Sequence, residues 1–292
     1  MNLNFKNIKY EILSPGNIFW KKSSGSTVLI SKKGDVLNHD LIKKLESGEQ
    51  TLLIEDGIDF HAHHEMIEVY VKYAEEFLMR DKIRWRAKLI ELFRSEFITK
   101  DKSQFELNFL AWKFFSNITN EETKQYIERD AELFKRHLNV ASSYAICAFL
   151  MGYYESSFLK NIFSSTLRNL MDLGSSVHVL TLKERIEYLR QQDSFLEEDV
   201  KELESIVSHE VMAKTVMFER YDGSGMRNIN SREMSDLEIV MVALNRNYGF
   251  DSDEKMNVLS EITKGDFKCE KRTLKVLQSV LHENELENTP AA

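Results

Sequence analysis

From about residue 60 to residue 282 the apolar residues recur every three to four positions, and nothing else in the sequence constrains the fold as strongly. In "HHEMIEVYVKYAEEFLM" they fall at Met66, Val69, Val71, Ala74, Phe77 and Leu78. In "KIRWRAKLIELFRSEF" they fall at Trp85, Leu89, Leu92, Phe93 and Phe97. This spacing gathers them on one side of a helix. The pattern continues through "QFELNFLAWKFFSNI", "RDAELFKRHLNVASSYAICAFLMGYY" and "SFLKNIFSSTLRNLMDLG". It predicts further helices near 182–191, 197–218, 234–248, 252–263 and 269–282, with Asp251 and Glu254 as a capping box for the fourth of these. Only two prolines and eleven glycines interrupt the chain, as expected of a mainly helical protein.

Residues 1–57 read differently. "GSTVLISKKGDVL" and "QTLLIEDGID" alternate β-branched residues with turns at Gly25-Ser26 and Lys33-Gly34-Asp35. One helix, "NHDLIKKLESG", is expected between them, opened by Asn38 or His39-Asp40 and closed by Gly48. The expected plan is a small β-rich (α+β) amino-terminal domain over 1–57, a helical extension over 58–122 and a helical domain over 123–285.

The chain has 292 residues and 42% apolar content, enough for a sizeable core. A net charge of −8 speaks against an extended nucleic-acid surface and leaves a local basic patch open. No apolar run approaches the roughly 20 residues that span a bilayer, so no membrane partner is expected. Cys147 and Cys269 are too few for a disulfide framework, which fits a reducing compartment and a cytoplasmic location.

Two features suggest chemistry on their own. "HAHHE" places His61, His63, His64 and Glu65 together, and His61 with Glu65 has the i, i+4 spacing of shared metal ligands. No further ligand motif lies nearby, so a polar helix start is the plainer reading. The second is "MFERYDGSGMR", residues 217–227, where Asp222-Gly223-Ser224-Gly225 makes a tight turn of the kind that presents groups to a ligand. The aromatic stripe Phe105, Phe109, Trp112 and Phe115 has helical spacing and suits core packing or, together with the 83–98 helix, a dimer surface. No phosphate loop, nucleophile elbow or Cys–His motif is present.

The order of several segments across 150 residues carries more information. "LFKRHLNVASSYAICAFLMGYY", "LRNLMDLGSS", "LTLKERIEYLRQQ", "MFERYDGSGMRNINSREM", "LEIVMVALNRNYGF" and "ITKGDFKCEKRTLKVLQSVL" resemble, in sequence and spacing, the HD-GYP family. Those proteins are helical HD-superfamily phosphodiesterases that hold metal ions and cleave cyclic di-GMP. The resemblance covers about residues 125–282, and residues 1–57 look like the small domain that often precedes the catalytic one. It implies an HD-superfamily helical bundle, degenerate in its ligands, over 123–285.

The departures fall on the positions that the resemblance gives to metal ligands. Arg136 stands at the first histidine, with His137 one place on, and the His-Asp pair becomes Met171-Asp172. Gln192 occupies the next histidine, Met217 and Phe218 replace the paired histidines before Glu219, and Leu244 replaces the last aspartate. Hydrolysis in that family needs metals to generate hydroxide and to offset phosphodiester charge, and one aspartate does not hold an ion pair. Apolar Met171, Met217, Phe218 and Leu244 are expected to fill the former cavity, with Arg136 pairing Asp172. The implied protein is a non-catalytic scaffold or adaptor without cofactor. The resemblance points to a protein partner such as a diguanylate-cyclase-type (GGDEF) domain, met through Glu219, Arg220, Asp222, Gly223, Ser224, Gly225 and Arg227. Two alternatives stand beside it: a sensor that binds cyclic di-GMP without cleaving it, using arginines of that loop, and an enzyme with a displaced metal site at His61, His63 and His64.

Overall fold

The computed structural model describes residues 11–48, 51–57, 65, 68–70, 72–73, 79–97, 104–153, 155–177, 232–248 and 270–281. These form a mostly helical protein with a small antiparallel sheet. The chain divides into two compact units, Met1–Glu65 and Met66–Ala292.

The first unit is built on strands β1 (Asn17–Lys21), β2 (Thr27–Ser31) and β3 (Thr51–Glu55), in the order β2-β1-β3. Register aligns Ile18 with Ile54 and Trp20 with Leu52, so one face of the sheet is apolar. Helix α1 (His39–Ser47) covers that face with Ile42 and Leu45, one turn apart. Asn38 starts α1 by accepting the Leu41 amide at 3.0 Å, as the sequence predicts. Both expected turns are present, with Gly25 at φ 85° and Gly34 at φ 83°. Gly16 is required for a different reason: a Cβ there would lie 2.7 Å from the Glu55 carbonyl oxygen and 2.8 Å from Gly57 Cα. Only a glycine lets this turn press against the end of β3.

The second unit is organised around one long helix. Helices α2 (Met79–Phe97), α3 (Gln104–Phe115) and α4 (Asn120–Arg129) precede α5 (Ala131–Met151). Helices α6 (Ser156–Val177), α7 (Asp236–Tyr248) and α8 (Lys271–Leu281) follow it. Every one of them packs on α5. The sequence of α5 explains its place: Ala141, Ser142, Ser143, Ala145 and Ala148 let neighbouring backbones approach, and apolar residues lie on all its sides. Asp130 ends α4 and starts α5, accepting the Leu133 amide at 2.9 Å. Gly152, at φ 105°, closes α5 in a Schellman arrangement in which the Tyr153 amide reaches the Ala148 carbonyl at 3.0 Å.

The core of this unit is aromatic. Phe93 of α2 lies 4.4 Å from Phe149 and 5.5 Å from Phe114, centroid to centroid. Part of the stripe lies in this core, while Phe105 and Trp112 stay partly exposed. Phe109 and Phe115 are buried, and Trp112 packs edge-on against Phe134 and Phe163. Helices expected near 234–248 and 269–282 are α7 and α8, whereas those near 182–191, 197–218 and 252–263, with Asp251 and Glu254, lie outside the described residues. Helix α7 instead has its own capping box: Ser235 Oγ accepts the Glu238 amide, and Glu238 Oε2 accepts the Ser235 amide at 2.6 Å. No helix among the described residues is long and apolar enough to cross a membrane.

Candidate functional site

Helices α5 and α6 form an antiparallel hairpin, joined by residues 152–155. Arg136 stands fifteen residues before Met151, where α5 ends, and Met171 fifteen after Ser156, where α6 begins. At 1.5 Å per residue both lie about 22 Å from the loop, so they sit at one height in the hairpin. The sequence separates them by 35 positions, and the fold brings them level. Arg136 is half-buried and engaged by neighbouring groups. His137, one position on, is buried.

Met171 is fully enclosed, at 0% exposure. Its backbone carbonyl accepts a hydrogen bond from Arg129 Nη2 at the end of α4. The same guanidinium lies 5.8 Å over the Tyr126 ring. One turn earlier on α6, Arg168 meets Glu122 of α4 through two bonds, Nε to Oε1 at 2.5 Å and Nη2 to Oε2 at 3.1 Å. Tyr126 adds a hydroxyl bond to Glu122 Oε1 at 3.2 Å. Hydrogen bonding from Arg168 holds the Glu122 carboxyl below the usual carboxylate range, against a smaller opposing effect of burial. Two clasps thus fix the turn of α6 that carries Met171 and Asp172.

Leu244, on α7, is also at 0% exposure. Most of its helix is enclosed: Val240, Met241, Val242 and Ala243 are buried with it. At two positions that the resemblance assigns to metal ligands, the protein therefore places a thioether and an isobutyl group in its core. Neither side chain exchanges a proton, and neither supplies the hard oxygen or imidazole donor that hydrolytic metals take. Among the described residues no group of three or more His, Cys, Asp or Glu is arranged to hold a metal. The backbone of Asp172 belongs to α6, but its side chain lies outside the described set, and so does the expected pairing with Arg136. Gln192, Met217, Phe218, Glu219, Arg220, Asp222, Gly223, Ser224, Gly225 and Arg227 lie outside it as well, as do His61, His63 and His64.

Several polar groups near these helices escape a reading of the sequence. Asn108 of α3 donates through Nδ2 to Asn139 Oδ1 at 2.5 Å and accepts from Gln104 Nε2 at 3.0 Å. Gln104 Nε2 also lies 3.3 Å from Ser143 Oγ. This side-chain bridge joins α3 to α5 beside Arg136. On α7, Asn245 and Arg246 are buried directly after Leu244, and a polar pair inside the apolar run "VMVALNRNY" was the available signal. Tyr144 is enclosed, and burial, then the nearby Glu238 charge, push its phenol well above the ordinary range. Burial likewise raises the Cys147 thiol.

No protein-family model matches the chain, and no curated protein matches it. Among solved structures it is similar to Bd1817, an HDG"Y"P protein from Bdellovibrio bacteriovorus, at 13% identity over 95% of this chain and 96% of that one, with a TM-score of 0.36. That likeness transfers no residue and no role.

Proposed function

We propose that this chain is a degenerate HD-GYP-like protein that has lost its metal site and acts as a signalling scaffold or adaptor through protein–protein contact. The observation that carries the reading is the full burial of Met171 and Leu244. Both stand where the sequence resemblance calls for metal ligands, and both are packed as core residues. A close-packed interior leaves no room for ions and their water in such positions, and an ion placed against hydrocarbon would forfeit its solvation. Arg136 adds a permanent cation at the height of Met171, where a ligand would have to be neutral or anionic. What remains for such a protein is its surface, and a diguanylate-cyclase-type domain is the partner that the resemblance suggests.

Incubation of the purified protein with Mn²⁺ or Fe²⁺ and cyclic di-GMP tests the reading. No linear dinucleotide should form beyond the metal-only control. Turnover that is lost on chelation would refute it. Calorimetric titration with cyclic di-GMP alone should give no binding heat, whereas saturable heat without product would favour a sensor.

A further inference from the structure

The most strongly cationic stretch of the described surface is the first half of α2. Between Arg80 and Lys88 the sequence has five cations, Arg80, Lys82, Arg84, Arg86 and Lys88, against Asp81 alone. That is a net +4 in nine residues of a chain whose total is −8, so the remainder carries −12. Arg80, Arg84 and Lys88 recur every four residues and form one exposed stripe opposite the buried Leu89 and Phe93. Beside the stripe stands Ile83, 65% exposed. Trp85 is flanked by ammonium groups, with Lys72 Nζ 5.8 Å and Lys88 Nζ 5.7 Å from its ring centroid. The stripe concentrates positive charge on one helix face, and Ile83 beside it offers an aliphatic contact next to the cations.

We infer that the solvent face of α2, Arg80, Ile83, Arg84 and Lys88, is a docking surface for an acidic, helix-forming segment of a protein partner. Carboxylates spaced four residues apart on such a segment match the stripe, and one apolar side chain between them covers Ile83. An extended polyanion fits less well. The patch is one helix face about 12 Å long, shorter than the tract that a duplex or an anionic bilayer presents. Trp85 already meets two ammonium groups over its ring, which compete with base stacking. The inference rests on the reading of the chain as a protein-binding adaptor and names the chemistry of one contact.

The test uses the full chain and a fluorescent synthetic helical peptide with glutamates at i, i+4 and i+8 and one leucine between them. A DNA duplex and phosphatidylserine vesicles are assayed alongside. The peptide should bind, weaken as salt rises, and lose about tenfold or more in affinity with Arg84→Glu/Lys88→Glu. Ile83→Ser should weaken it separately, with little change in the salt dependence. Both variants alter exposed positions, and circular dichroism checks that α2 persists. Absence of peptide binding, binding indifferent to these variants, or tighter binding of duplex or vesicles with the same losses would overturn the proposal. The two readings fail separately. Metal-dependent turnover with intact peptide binding removes the inactive assignment alone, and no peptide binding in a protein without turnover removes this surface alone.

Discussion

Arg168 closes on Glu122 through both carboxylate oxygens, and this pair ties α4 to α6 one turn before Met171. The pair is partly exposed, at 37% and 24%, so solvent screening limits its worth to about 0.5–1 kcal/mol. Glu122→Gln should lower stability by that amount at neutral pH. Because the folded carboxyl titrates below its ordinary value of 4.5, the stabilisation is complete above that pH and is lost as pH falls through the folded value. Urea unfolding of both proteins should show a gap at pH 7 that closes in acid. A gap that widens on acidification would reverse the assigned sign.

The aromatic core should be the most sensitive part of the second unit. Phe93 has 0% exposure and meets two other rings, so Phe93→Ala should cost about 3–5 kcal/mol. Ile83→Ala, on the same helix but facing water, should stay within about 0.5 kcal/mol. Denaturant midpoints of the two variants make the comparison directly.

The bridge from Asn108 to Asn139 is the polar counterpart of that core. Asn108 is buried, so Asn139→Ala removes an acceptor from an enclosed amide and should cost about 1–3 kcal/mol. Replacing both residues by apolar ones should cost less than the sum of the two single changes. A double-mutant cycle measures the difference.

Cys147 should be chemically silent. Its side chain is enclosed and its thiol is held protonated by burial. In a Cys269→Ser background, a thiol reagent should label the native protein at least about a hundredfold more slowly than the denatured one.

Much of this architecture was legible in the residues themselves. The turns at Gly25 and Gly34, the cap at Asn38 and helices α5 and α6 all follow from local pattern. Helix α4 was not anticipated, because "NEETKQYIER" has no apolar stripe and buries only Thr123. A signal did exist in Thr119 with Glu122, three residues on, which has the form of a capping box. Glu122 turns away to Arg168 instead, and only Thr119 caps, accepting the Glu122 amide at 3.2 Å. The burial of Met171 and Leu244 was expected from their apolar side chains. The enclosure of Arg246 depends on how helices dock, which periodicity does not encode.

Met171 and Leu244 put carbon in the core where, on the proposed function, a hydrolase would keep metal ligands. Elemental analysis of the purified protein, after loading with Mn²⁺, Fe²⁺ or Zn²⁺ and desalting, tests this most directly. Well under about one-tenth of an ion per chain is expected for each metal. One or two tightly held ions per chain, lost together with substitution of Asp172, would contradict it.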